Sequence, residues 1–206
     1  LTAIFPHITG RVVDADIGAN ADCKPEHLVQ FARMTSIYAR HVYENDDPVV
    51  GLLNIGEEPG KGNEQVKAAY ELLEQADDIH FCGNIEGGDL FAHAADIVIC
   101  DGFVGNVLLK FGESVTHVLP RFARQEMERQ GLAPEQQQLV GRVLEGVKKN
   151  FDAEERGGGA PLLGVNGHVL IGHGGSSARA IRQMILSAAD TAAKDVVTPM
   201  ASAFAR

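Results

Sequence analysis

Cysteine is scarce in this chain: Cys23, Cys82 and Cys100 are the only three in 206 residues, and they lie far apart. An odd, scattered set builds neither a disulfide framework nor a zinc site of paired cysteines, so a reducing cytosol is the expected compartment. Positive charge is thin as well. Eighteen Lys and Arg stand against 28 Asp and Glu, a net charge of −10, with no basic stripe to meet a nucleic acid. No apolar run reaches the length of a membrane span, and no secretory leader is visible. The eight histidines are scattered, so no metal is expected. The dinucleotide fingerprint Gly-x-Gly-x-x-Gly, a complete phosphate loop and the nucleophile elbow Gly-x-Ser-x-Gly are all missing. A nucleotide-dependent oxidoreductase and catalysis through a covalent enzyme intermediate are therefore disfavoured, and no cofactor is expected.

What remains is an ordinary globular composition, 45% hydrophobic and 22% charged, long enough for one substantial domain over residues 1–206. Val12-Val13 opens a short strand ending in "DIGAN". Pro25 starts a helix that runs to about Val42. "VVGLLNI" (49–55) is a continuous apolar run, as in a strand covered on both faces. Helix is expected from Glu64 to Glu74, strand at "IHFCGN" (79–84), and strand again at "ADIVICD" (95–101). This alternation marks a mostly parallel sheet in an α/β fold. The pattern then changes to a helical hairpin at about 107–151. Its first helix begins at Asn106 and carries Val115, Val118, Leu119 and Phe122 on a stripe, with Pro120 as its weak point. Its second carries Val140, Val143, Leu144, Val147 and Phe151. "HVLIGHGGSSARAI" returns to strand, turn and helix, the last helix spanning Ser177 to about Lys194.

Five of these strands end alike. "DIGAN", "LLNIGEE", "FCGN", "CDGFVGN" and "IGHGGSS" each set Gly beside Asn, Asp, Glu, His or Ser. Parallel strands deliver such turns to one edge of the sheet, where ligands bind in open α/β folds. Glycine admits close approach of a ligand, and helix N-termini offer N–H groups to an anion. Each turn alone is explained by capping and turn chemistry. Five converging turns point to a site.

The ordered segments "DIGANADCKPEHLVQFARM", "LLNIGEEPGKGNE", "GNIEG", "CDGFVGNVLLK", "GGAPLLGVNG" and "GHGGSSARAI" resemble the bacterial acyl-acyl carrier protein:phosphate acyltransferases of phospholipid synthesis, over nearly the whole chain. The resemblance implies transfer of a long-chain fatty acyl group from acyl carrier protein to inorganic phosphate. The acyl phosphate is then used by a membrane acyltransferase acting on glycerol 3-phosphate. It implies a three-layer α/β/α sandwich akin to isocitrate dehydrogenase and phosphate acetyltransferase, a homodimer, and a cytoplasmic protein with peripheral contact at the membrane's inner face.

The residues suit that chemistry. Phosphate is a dianion and needs donors: Lys61 and Lys110 supply charge, and the turns around Gly102, Gly105 and Gly174 supply backbone N–H groups. Asn54, Asn84 or Asn106 can donate to the oxyanion formed at the thioester carbonyl. His173 can protonate the leaving thiolate or bind phosphate. Asp101 and Glu86 are the carboxylates expected to organise the cleft, with Glu57, Asn63 and Ser176 as further binding candidates. The plainer readings are a solvated Lys61, a snorkelling Lys110, a turn-anchoring His173 and acids serving helix dipoles. Cys100, among apolar neighbours, is expected in the core.

The chain departs from the family in places. The Asp-Ala-Met-Gly-Gly-Asp and Gly-Asn-Thr-Gly-Ala segments of the family's N-terminal part are absent, so this sequence corresponds to about its C-terminal two thirds, and residues upstream of Leu1 are expected. A shortened chain of this kind could instead serve as an inactive module binding acyl carrier protein or a membrane partner. Thr35 stands where the family has Gly, Ser114 interrupts a Glu-Gly pair after Glu113, and the Tyr before "GGAP" is replaced near Arg156-Gly157. The hairpin tip "RQEMERQGLAPEQQQ" is polar apart from Leu132, which offers little for membrane attachment.

Overall fold

The computed structural model describes residues 1–7, 10–149 and 158–205. Five strands form the main sheet among these residues: β1 (Thr2–His7), β2 (Gly10–Ala15), β3 (Val49–Leu53), β4 (His80–Ile85) and β5 (Ile97–Ile99). Their order in the sheet is β1-β2-β5-β3-β4. β2, β5, β3 and β4 are mutually parallel, and β1 pairs antiparallel with β2 from Thr2↔Ala15 to His7↔Gly10. The expected mostly parallel sheet is therefore present, with an antiparallel edge strand that the apolar pattern does not announce.

Helices α1 (Pro25–Tyr43) and α2 (Glu64–Glu74) cover one face, and α3 (Gly102–Arg129) begins on the other. The period-two alternation of strand side chains decides which residue meets which layer. Val13, Ala15, Val50, Leu52, Ile97 and Ile99 pack with Leu28, Val29 and Ala32 of α1. Val12 and Val98 pack on the opposite face, beside Phe5 and Ile85, with Leu108 and Leu109 of α3 against them. This makes three layers, α/β/α, with the sheet buried on both faces.

The remaining elements are α4 (Pro134–Lys149), β6 (Ala160–Leu162), β7 (Val169–Ile171), α5 (Ala178–Ala193) and α6 (Val197–Ala203). β6 and β7 form a separate antiparallel pair. The strand at "HVLI" thus belongs to a second small sheet and not to the parallel one. Helix α3 starts four residues before Asn106, because the Asp101 side chain accepts a hydrogen bond from Val104 N at 2.8 Å and fixes the first turn at Gly102. The hairpin of α3 and α4 is present over its described residues, while Phe151 and Arg156-Gly157 lie outside them. Its apolar stripe faces outward: Val115 is 41% exposed, Leu119 52%, Phe122 62% and Val143 59%. Among the described residues no helix is long and apolar enough to cross a membrane.

Candidate active site at the carboxyl edge of the sheet

Four turns leave the parallel strands at one edge. The first is organised by Asp16, which is fully buried. Its Oδ1 accepts from Gly18 N at 3.2 Å and Ala19 N at 3.1 Å, and its Oδ2 from Asn20 N at 2.6 Å and Asn20 Nδ2 at 3.0 Å. Burial disfavours the ionised carboxyl, and these four hydrogen bonds favour it. Asp16 is a residue that the sequence reading passes over. The available signal was an Asp followed within four residues by Gly, Ala and Asn, whose N–H groups a single carboxylate can collect.

The second turn joins β5 to α3 and locks against the first. Gly102 N donates to Asn20 O at 2.8 Å, and Asn106 Nδ2 donates to Ile17 O at 3.1 Å. A methyl on Gly102 would lie 2.9 Å from Asp16 Oδ2, and one on Gly105 would overlap Asp16 O and approach Cys100 Sγ to 3.0 Å. Both glycines are therefore required by close packing of helix on strand, at φ values open to any residue. Asn106→Ala removes one partly buried hydrogen bond and is expected to lower stability by about 1 kcal/mol, measured as a lower urea midpoint at constant slope. One turn further along, Lys110 Nζ pairs with Glu113 at 2.8 Å on the exposed surface.

Asn54 and Asn84 shape the third and fourth turns. Asn54 Nδ2 donates to Lys61 O at 3.1 Å, folding the Gly-rich loop back on the end of β3. Gly62 there has φ +92°, a conformation that side chains rarely adopt, with Asn54 packed against it. Asn84, buried at the end of β4, donates from Nδ2 to Glu58 O at 2.9 Å, and its Oδ1 is buried without a partner. Asn63 caps α2 by accepting from Val66 N at 2.9 Å. Glu57, Lys61 and Glu86 are exposed at the rim. Among the described residues Lys61 has no carboxylate partner.

The fifth turn follows β7 and so leaves the small sheet, not the parallel edge. His173 Nδ1 accepts from Gly175 N at 3.1 Å, and Ser176 Oγ donates to His173 O at 2.7 Å, so both residues, with Gly174 between them, bond within their own turn. Ser177 caps α5 by accepting from Ala180 N at 3.1 Å. The edge thus gathers Asn54, Lys61, Asn84, Glu86, Asp101 and Asn106, while His173 and Ser176 belong to a different element. The caps at Asn63, Asp101 and Ser177 each take one N–H from a helix N-terminus, leaving fewer for an anion than bare helix ends would.

Beneath this edge sits an acid of unusual environment. Asp14 points to the α3 face with Val12, is wholly buried, and has Oδ2 without a partner. Oδ1 accepts a hydrogen bond from Cys100 Sγ at 3.6 Å. Burial pushes the Asp14 pKa up to about 7. Cys100 is itself buried, as expected, and burial foremost, then the charges of Asp14 and Asp101, push its thiol well above the usual range. It is a packing residue, not a nucleophile. Among the described residues no group of three or more His, Cys, Asp or Glu could hold a metal ion.

Known proteins bear on this arrangement. The chain is 62% identical over 204 residues to a phosphate acyltransferase of Salinibacter ruber, covering 99% of this chain and 60% of the relative. It is 48% identical over 194 residues to a phosphate acyltransferase of Chlorobaculum tepidum, covering 90% and 58%. It is 45% identical over 201 residues to one of Desulforudis audaxviator, covering 98% and 59%. The chain therefore spans about 60% of the length of these curated relatives. The family described as Fatty acid synthesis protein matches it from residue 1 to residue 199, a span that includes every turn of the parallel edge, and the chain belongs to that family.

Proposed function

We propose that this chain carries the carboxyl-edge half of an acyltransferase that moves a long-chain fatty acyl group from acyl carrier protein to inorganic phosphate. The observation that carries this reading is the identity of 45–62% to relatives named phosphate acyltransferase, over nearly all of this chain. The chemistry of the edge supports it. A phosphate oxygen attacks the thioester carbonyl, the tetrahedral oxyanion collapses, and the C–S bond breaks to give acyl phosphate and the free phosphopantetheine thiol. A thiolate is a fair leaving group, so the main tasks are to hold two reactants and to stabilise the oxyanion. Asn54 and Asn106 each have a second amide N–H beyond the one that fixes a turn, and these are the oxyanion donors assigned here. Lys61 and Lys110 supply charge to phosphate, Lys110 by exchanging Glu113 for the dianion.

A second copy of the chain is assigned to the outward apolar face of α3, where Phe103, Val107 and Phe111 are 66%, 55% and 66% exposed. The hairpin tip is polar, so any membrane contact uses the shaft and not the turn.

The test uses the full-length protein with palmitoyl-acyl carrier protein and phosphate, trapping acyl phosphate with hydroxylamine. Phosphate-dependent hydroxamate is the expected product. Binding of acyl carrier protein without turnover would leave a docking module in place of an enzyme. Lys110→Ala is expected to lower kcat/KM about 10²-fold with unchanged melting, as loss of a charge on the reacting phosphate would; equal turnover would remove Lys110 from the site.

A further inference from the structure

A cavity lies beside the candidate site and not in it. It holds about 460 Å³, within the range of small-molecule pockets. One wall is the turn Ala19-Asn20, whose other side grips α3. The opposite walls are α1, the loop after β6, and α6, chiefly Phe31, Met34, Leu163, Met200 and Phe204.

We propose that this cavity seats the alkyl chain of the acyl substrate and so sets the chain length accepted. The inference takes the identity of the chain from the acyltransferase reading; the rest comes from the walls. None of the lining side chains is charged: beside the apolar residues stand only the neutral Thr2, Asn20, Gln30, Thr35 and Asn166. Two methionines, Met34 and Met200, give surfaces that adapt to a flexible chain. The cavity also shares the Asp16–Asn20 turn with the parallel edge, which lets a chain lie in the cavity while its carbonyl stands at the edge.

Thr35 lines the cavity from the middle of α1, is 1% exposed, and its hydroxyl has no hydrogen-bond partner. A buried Thr in a helix ordinarily bonds back to the carbonyl one turn earlier. The oxygen is enclosed by the protein, so a ligand in the cavity does not reach it as the side chain stands. Thr35→Val, of similar shape and no polarity, therefore leaves the seat of an alkyl chain intact.

The experiment titrates the full-length protein with the fluorescent C18 fatty acid parinaric acid, displaced by saturated acids from C4 to C16. One site is expected, with affinity rising about fourfold per added methylene until the cavity is full. Ala201→Trp fills the cavity and is expected to weaken C16 binding at least tenfold; Phe204→Ala, at the 39% exposed end, keeps the fold and weakens it severalfold. Thr35→Val is expected to bind C16 as tightly or more so. Wild-type affinity in both filling and truncation variants, affinity independent of chain length, weaker C16 binding by Thr35→Val, or no site in the full-length protein because an upstream segment fills the cavity, would each overturn the inference. The two readings fail separately. Acyl phosphate formation with an unaltered C16-to-C4 rate ratio in Phe204→Ala sinks the cavity alone, and chain-length-dependent binding without acyl phosphate sinks the transferase alone.

Discussion

Gly105→Ala is expected to destabilise the protein by about 3 kcal/mol or more, through one methyl group. The added Cβ would overlap the backbone oxygen of Asp16 and press on Cys100 Sγ. Neither neighbour can withdraw. Asp16 N donates to Cys100 O at 2.9 Å and Cys100 N to Ala15 O at 2.8 Å, so both belong to the β2–β5 ladder. The helix must move instead, and it then loses the bonds from Gly102 N to Asn20 O and from Asn106 to Ile17 O. Gly112, two turns along the same helix, is the control. A methyl there meets only Phe5 Cε1 at 3.5 Å, an ordinary contact, and Gly112→Ala gains about 0.5–1 kcal/mol of helix preference. Urea unfolding of the two variants should shift in opposite directions, and a shared direction would show that close docking of α3 is not what Gly105 provides.

Asp14 governs the second large effect, on stability as a function of pH. Its pKa is about 7 folded and 3.8 unfolded, because burial disfavours the charge. Between these values the folded state binds the extra proton, so stability falls as pH rises from about 4 to about 7 and levels off above. The span corresponds to at most ~4 kcal/mol. Asp14→Asn removes the titration, so its stability should exceed the wild type's by a few kcal/mol at pH 8 and converge with it near pH 4. Parallel urea midpoints for wild type and Asp14→Asn from pH 4 to 8 would show that Asp14 is not held neutral by its surroundings.

The parts of this fold that are legible in the sequence are those whose signal is local. "VVGLLNI" and "ADIVICD" are continuous apolar runs and become β3 and β5. Helix α2 occupies Glu64–Glu74, as its periodicity and Asn63 cap require. β1 and β6 are harder because each contains a proline, at Pro6 and Pro161, and takes its strand character from a partner. Missing β6 is also why "HVLI" looks like one more parallel strand and His173 like part of the edge. The start of α3 shows a cap overriding periodicity: apolar spacing begins at Asn106, whereas the Asp101 carboxylate begins the helix at Gly102.

The site divides in the same way. Its turns can be read as Gly beside Asn, Asp or Glu, and four of the five meet at one edge. Their internal geometry cannot, because it depends on contacts across long stretches of chain. Asn106 and Ile17 are 89 residues apart, and nothing near Gly105 announces that Asp16 O will lie against it. Thr35 and Met200 are likewise ordinary residues of two helices until folding brings them to one cavity.

Helix α3 is an arm on a short fulcrum. Its 28 residues extend about 42 Å. At Gly102 and Gly105 it has no slack, while the shaft beyond carries its apolar side chains in the open. A tilt of about 5° at the fulcrum carries the far end ~4 Å over that length. Read in reverse, whatever grips the arm works with leverage on the Asp16–Asn20 turn: a large displacement of the hairpin arrives at the edge as a small, forceful one.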